Sequence, residues 1–212
     1  MKGSVHTSVF TSAFLNKTKG LVPKGNLISH TALFKIPGYK KPFVLSDAAI
    51  NIRQDLEKKK RILYNALQVS RALGISRPSV ACICPVETVN PKIISTVDAD
   101  NLVRIHETTQ LYGDAVIEGP MALDVAFSSE AAKVKKLVGK VPGNPDILLM
   151  PNLDAGNVLY KAFSIQQGSL TAGIIAGLRV PVVLTSRSDN DTTRFLSIYM
   201  AFAVSAGMAE TG

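Results

Sequence analysis

The chain has 212 residues, 46% hydrophobic and 19% charged, which excludes a disordered chain and leaves room for one large domain or two small ones. Twenty-four Lys and Arg against 16 Asp and Glu give a formal charge of +8, a balance suited to an anionic partner. No apolar run reaches the roughly 18–20 residues of a membrane span, and the densest basic run, EKKKR at 57–61, lacks the interleaved aromatics of a nucleic-acid surface, so anionic metabolites fit best.

In chain order, the N-terminal MKGSVHTSVFTSAFLNK has no sustained apolar core, and no signal peptide is expected. FVLSDAA (43–49) reads as a strand running into a turn, and 55–74 as an amphipathic helix stopped by Gly74. SVACICPVE (79–87) is the next buried strand, followed by a helix from Pro91 to about Gln110. A strand at 115–120 ends in Gly-Pro, and 121–139 forms one helix or two short ones. PDILLMP (145–151) is a fourth strand, then the loop NLDAG and a helix from about Asn157. TAGIIAGLR (171–179) reads as a small-residue helix packed on a sheet, VPVVLTS as a fifth strand and 192–207 as a closing helix. Such alternation of Val- and Ile-rich runs with helical patterns is that of an α/β protein with largely parallel strands.

Cys82 and Cys84, on one strand face, form no zinc framework and read as small buried hydrophobes of a reducing compartment. His6, His30 and His106 show no metal-ligand spacing; lone histidines of this kind are structural, and only His6 gains interest below.

Three polar clusters follow three strands: LSDAAIN, MPNLDAGN and LTSRSDND. In open α/β sheets, ligands collect beyond the carboxyl ends of parallel strands, where loops feed helix N-termini. In the second cluster Asn152 and Asp154 offer short polar side chains, and Gly156 permits a left-handed or closely approached backbone. Lys161 lies one helical turn after Asn157, on the same face. This is either a capped helix with a surface lysine, or a loop that closes over an anion or makes an inter-domain contact.

The segment MPNLDAGNVLYKAFSIQQGSLTAGIIAGLRVPVVLTSRSD resembles the phosphate acetyl/butyryl transferase family, which carries Pro-Asp-x-x-x-Gly-Asn-x-x-Tyr-Lys before a glycine-rich helix and a strand ending in Ser-Arg. MKGSVHTS, KPFVLSDAAIN, SVACICPVETVNP and DAVIEGPMALDVAFSSEAA agree in collinear order, and Ser-Arg-x-Asp with Asp-Ala-Gly-Asn is nearer the butyryltransferase branch. The resemblance implies an α/β, two-domain phosphotransacetylase-like (isocitrate/isopropylmalate dehydrogenase-like) fold, with mostly parallel sheets flanked by helices. On that analogy residues 25–173 are an inserted second domain, and residues 1–24 and 174–212 a remnant of an incomplete first one. It also implies a cytoplasmic homodimer joined through residues 25–173.

The activity implied is transfer of a short-chain acyl group, butyryl or similar, between coenzyme A and inorganic phosphate, with no metal, cofactor or covalent enzyme intermediate. A thiolate attacks the acyl phosphate directly, which calls for a base, an oxyanion donor and a cation for phosphate. Ser186 would donate to the oxyanion, Arg187 grip phosphate with its planar fork, and Asp189 take the thiol proton, with Thr185 and Asp191 beside them. Asn152, Asp154, Gly156, Asn157 and Lys161 would line the facing loop, and Gly3, His6 and Thr7 would form a phosphate-approaching turn. Two departures accompany the match: the chain begins where the family's first domain is already well advanced, and the aspartate seven residues after the family's serine is Thr193 here. These features admit an alternative, a catalytically impaired module for dimerisation or for binding coenzyme A and phosphate. The polar ends of these segments also have plain capping roles, with Ser186 capping the closing helix, Arg187 pairing with Asp189 and Asp191 favoured by the helix dipole.

Overall fold

The computed structural model describes residues 7–16, 20–185 and 189–210. One seven-stranded sheet carries the chain, in the order β4-β3-β5-β2-β1-β6-β7. After α1 (Thr7–Phe14), the strands β1 (Ser29–Lys35) and β2 (Phe43–Ser46) pair antiparallel, with Thr31 opposite Ser46 and Phe34 opposite Phe43. α2 (Leu56–Ala72) starts where the Asp55 carboxylate accepts from Lys58 N at 2.9 Å, and it buries Ile62, Leu63, Ala66, Leu67 and Val69. Gly74, with φ +91°, turns the chain out of it.

β3 (Ser79–Ile83), α3 (Ile94–Thr109), β4 (Val116–Met121), the short helices α4 (Leu123–Phe127) and α5 (Ser129–Val134), and β5 (Ile147–Leu149) complete one half. Here β2, β5, β3 and β4 run parallel. In the other half β6 (Leu170–Ala176) pairs antiparallel with β1 along its whole length, and the edge strand β7 (Val182–Val183) pairs antiparallel with β6. The sheet is therefore mixed, not largely parallel, and β1 is a strand that the sequence reading passed over.

The expected helix at 171–179 is β6. Its alternate residues Ala172, Ile174 and Ala176 face α7 (Asp191–Glu210), while Gly173 and Ile175 face the other way. A helix there would leave the outer edge of β1 without its backbone partners, a cost that outweighs the weak preference of small residues. Likewise, NLDAG is not a loop. α6 (Leu153–Ile165) begins four residues early because the side-chain Oδ1 of Asn152 accepts from Ala155 N at 2.9 Å.

Two apolar layers flank the sheet. On one face Ala32, Phe34, Phe43, Leu45, Ala81 and Leu148 pack under α4, α5 and α6. On the other, Val44, Val80 and Ile147 lie under α2 and α3, and β6 lies under α7. The boundary expected between residues 173 and 174 falls inside β6, and β7 continues the same sheet. Among the described residues no helix is long and apolar enough to cross a membrane.

Candidate functional site

On the α6 face of the sheet, a cavity of about 670 Å³ opens between α6, the 48–49 turn after β2 and the segment joining β7 to α7. Its walls bring together parts of all three polar clusters, which lie far apart in sequence. Ala48 and Ala49 come from the first, Asn157 from the second with Tyr160 and Lys161 following it on α6, and Thr185, Asp189 and Asn190 from the third with Thr193 just beyond it. The strand polarity differs from the simple expectation, however. β2 and β5 run parallel, so their exits adjoin, but β7 runs opposite to both and brings its polar end in from the side.

The first wall is a tightly held turn. The Asp47 carboxylate is fully buried and accepts from Ala49 N at 2.8 Å, Ile50 N at 3.1 Å and Asn51 N at 3.0 Å. It is thus spent on its own turn, as a carboxylate capping a local nest of N–H groups. Asn51 Nδ2 reaches back to the Ile28 carbonyl at 2.9 Å and ties the turn to the entry of β1. α6 then packs against this turn. Gly156 is buried there because a Cβ would overlap the Asp47 carbonyl oxygen, and Asn157 Nδ2 donates to the Ala48 carbonyl at 2.9 Å. Gly156 is therefore a close-approach glycine of a helix, not a left-handed turn residue.

The expected site residues that are described fall in several places. Asn157, Lys161, Thr185 and Asp189 line the cavity. Asn152 caps α6, and Asp154 lines a smaller neighbouring hollow of about 330 Å³ together with Ala49, Leu153, Asn157 and Val158. Asp191 does not line the cavity; its side chain is 99% exposed and its carboxylate pairs with Arg194 at 3.1 Å. The cap of α7 is Asn190, whose Oδ1 accepts from Thr193 N at 2.8 Å. Ser186, Arg187, Gly3 and His6 lie outside the described residues, as does the side chain of Thr7, which opens α1.

Two residues that sequence reasoning did not assign complete the cavity. His30, on β1, lines it while only 4% exposed, and its ring meets the Tyr160 ring edge-on at 5.4 Å and 72°. Burial lowers its pKa below the usual imidazole value, with the carboxylates of Asp47 and Asp189 pulling the other way. Burial, with Asp189 adding to it, pushes the Tyr160 hydroxyl up to about 12. A signal for Tyr160 was present, since it sits beside Lys161 in the quoted Tyr-Lys segment. For His30 the signal was the period-2 pattern of SHTALFK, in which His30, Ala32 and Phe34 share a face.

Among the described residues no group of three or more His, Cys, Asp or Glu side chains is arranged to hold a metal ion. What the cavity offers is a buried imidazole, a carboxylate, an ammonium and several amide and hydroxyl groups around one space. That is a set able to bind an anion and to move a proton.

Comparison with known proteins gives the same direction. The profile of the "Phosphate acetyl/butaryl transferase" family matches residues 1–202. A phosphate butyryltransferase of Clostridium acetobutylicum is 43% identical over 204 residues, which are 96% of this chain and 67% of that protein. A phosphate acetyltransferase of Rhizobium meliloti is 41% identical, covering 95% of this chain and 63% of its own. Among solved structures, a branched-chain phosphotransacylase from Enterococcus faecalis V583 superposes with a TM-score of 0.88 at 35% identity, over 96% of this chain and 72% of that one.

Proposed function

Since the chain belongs to the phosphate acetyl/butaryl transferase family, we propose that it moves a short-chain acyl group, butyryl or similar, between coenzyme A and inorganic phosphate. The observation that carries this reading is the convergence of three separate polar clusters on one cavity that holds a cation, a carboxylate and a buried imidazole. The thiolate of coenzyme A attacks the carbonyl of the acyl phosphate, and phosphate leaves from the tetrahedral intermediate. Lys161 attracts the phosphate, and Asn157 and Thr185 supply hydrogen bonds near it. Ser186 and Arg187 follow directly after Thr185 in sequence and take the roles of oxyanion donor and phosphate clamp. No metal or cofactor enters this scheme. A cytoplasmic homodimer is part of the same reading, as the resemblance implies, and light scattering on the purified protein tests the dimer.

The test of the activity is release of coenzyme A from butyryl-CoA in the presence of phosphate. Turnover dependent on phosphate is expected; a folded sample inert towards every C2–C5 acyl-CoA overturns the reading. One observation favours a second reading, a binding module without turnover: the hydroxyl residue Thr193 lines the cavity at the position where the resemblance places an aspartate. Calorimetry separates the two, because coenzyme A binding without turnover belongs to the module alone.

A further inference from the structure

The two described histidines, His30 on β1 and His106 on α3, are in opposite states. His106 is satisfied at both ring nitrogens, Nε2 lying 2.9 Å from the Ala115 carbonyl and Nδ1 accepting from Tyr112 N at 3.4 Å. It is a structural histidine. His30 is as deeply buried, yet among the described residues its Nδ1 has no hydrogen-bond partner. A buried polar atom without a partner is costly, and folds keep such groups where a ligand or a reaction completes them. The ring's place is also specifically made. Gly173 on β6 leaves the room, since a Cβ at that position would stand 3.0 Å from His30 Nε2.

Resting on the acyl-transfer reading above, we infer that His30 is the group that takes the proton from the coenzyme A thiol, with the Asp47 and Asp189 carboxylates facing it as counter-charges. The reaction needs a base near the sulfur, and the described residues lining the cavity offer few. The Lys161 ammonium has no lone pair to accept a proton, and Tyr160 has its hydroxyl held protonated by burial. Among side-chain bases in general, imidazole (about 6.5) is better matched to a thiol (about 8.5) than a carboxylate (about 4) is. Burial keeps the His30 ring neutral at pH 7, ready to accept, while the two carboxylates lower the cost of the imidazolium once it forms.

The step balances as follows. The thiol proton passes to Nδ1, the neutral ring carrying its own proton on Nε2. A sulfur lone pair forms the C–S bond at the acyl carbonyl carbon, and the C–O bond to phosphorus oxygen breaks with its electron pair leaving on phosphate. In the reverse direction phosphate displaces the thiolate, which recovers the proton from the imidazolium. Among the described residues, the charged and titratable groups around the ring are Asp47 from the turn after β2, Asp189 from before α7 and Tyr160 from α6, with Lys161 of α6 lining the same cavity.

The experiment follows thiol consumption from coenzyme A and butyryl phosphate with the full chain, the variants His30→Gln, His30→Ala and Gly173→Ala, and circular dichroism on each. For H30Q, kcat falls by about 10²–10⁴-fold, the loss typical of a removed general base, with KM for coenzyme A changed less than about threefold. The wild-type rate falls away on the acid side, at a pH below the ordinary imidazole value of about 6.5 because burial lowers the pKa of His30. The H30Q rate instead climbs with pH towards about 8.5, where the thiol ionises unaided. Added imidazole restores turnover to H30A, and G173A shows a lowered kcat with its histidine still present. Equal kcat and pH profiles for wild type and H30Q overturn the inference. So does a loss without a changed pH profile and without imidazole rescue, which marks a packing role. If H30Q and H30A do not fold, G173A decides: a kcat and pH profile equal to the wild type's overturn the inference. Absence of turnover in the wild type overturns the acyl-transfer reading itself, and this inference with it.

Discussion

Replacing Gly156 by Ala tests how α6 is set against the turn that forms one wall of the cavity. In an ordinary exposed helix this change stabilises by about 1 kcal/mol, because alanine is the better helix former. Here the new Cβ would overlap the Asp47 carbonyl oxygen and stand 3.3 Å from Ala48 Cα. Both are backbone atoms of a turn already held by the Asp47 carboxylate, so no side-chain rotation relieves the contact. The helix must move away instead. Forced overpacking of this kind costs about 1–3 kcal/mol. The shift also stretches the bond from Asn157 Nδ2 to the Ala48 carbonyl, now 2.9 Å, at a further cost of about 1 kcal/mol. Set against the helix gain, the net loss is about 1–3 kcal/mol. Urea unfolding should show a lower midpoint with an unchanged slope, and thermal melting a drop of roughly 2–4 °C per kcal/mol. Because Ala48, Ala49 and Asn157 border the cavity, KM for butyryl-CoA should rise as well. Val158→Ala, two residues along and about half a turn round the helix at a residue 69% exposed, serves as the control and should change little. An unchanged or higher midpoint for G156A would refute the close approach of helix and turn.

Three further outcomes follow from the buried polar groups. Lys59 and Asp98 form an ion pair of 2.8 Å with side chains only 5% and 12% exposed, so Asp98→Ala should cost about 3–5 kcal/mol in urea unfolding while Lys59→Met with Asp98→Leu recovers most of it; a single variant within 1 kcal/mol of wild type would count against the pair. The folded-state pKa of His30 is lowered by burial, so the folded protein binds fewer protons than the unfolded chain; this contribution is complete above about pH 6.5 and is lost as pH falls below it, and the urea midpoint should drop more steeply from pH 6.5 to 5 in wild type than in H30Q. Burial raises the thiol of Cys84 and pushes that of Cys82 up to about 12, so a thiol reagent at pH 8 should label neither until the protein is denatured; rapid labelling of the native protein would contradict the packing of β3.

Much of the fold was legible in the sequence because several elements carry strong local signals. α2 has an apolar stripe, an aspartate cap and a terminal glycine, and its observed limits fall close to those read from the pattern. Of the two readings of 121–139, one helix or two short ones, the structure takes the second, with Ser128 capping the second helix by accepting from Ala131 N at 3.1 Å. β6 failed for a reason intrinsic to its residues. A short apolar run of Thr, Ala, Gly and Ile has no period that separates a buried strand from a buried helix, and only the long pairing with β1 decides it. The pattern places the start of α6 four residues late, because a glycine permits either a left-handed turn or a close backbone approach and only the contact with residues 47 and 48, more than a hundred positions away, selects the second. No local rule contains that information.

The same distinction explains what was and was not visible of the site. A search for polar clusters at strand ends finds loops, and all three clusters found in this way do meet at the cavity. It assumes that strands of one polarity deliver their loops to one edge of a sheet. Here β1, β6 and β7 alternate in direction, so the segment after β7 reaches the cavity across the face of the sheet. A cavity on a sheet face takes its floor from strand side chains, which obey period 2 and sit among core residues. His30 occupies such a position, in register with Ile175 on β6 and one place from Ala32 on the same face. In sequence it is therefore indistinguishable from a core histidine such as His106, and what separates them is three-dimensional: one ring has partners at both nitrogens, and the other, among the described residues, keeps a nitrogen without one beside the space where the clusters converge.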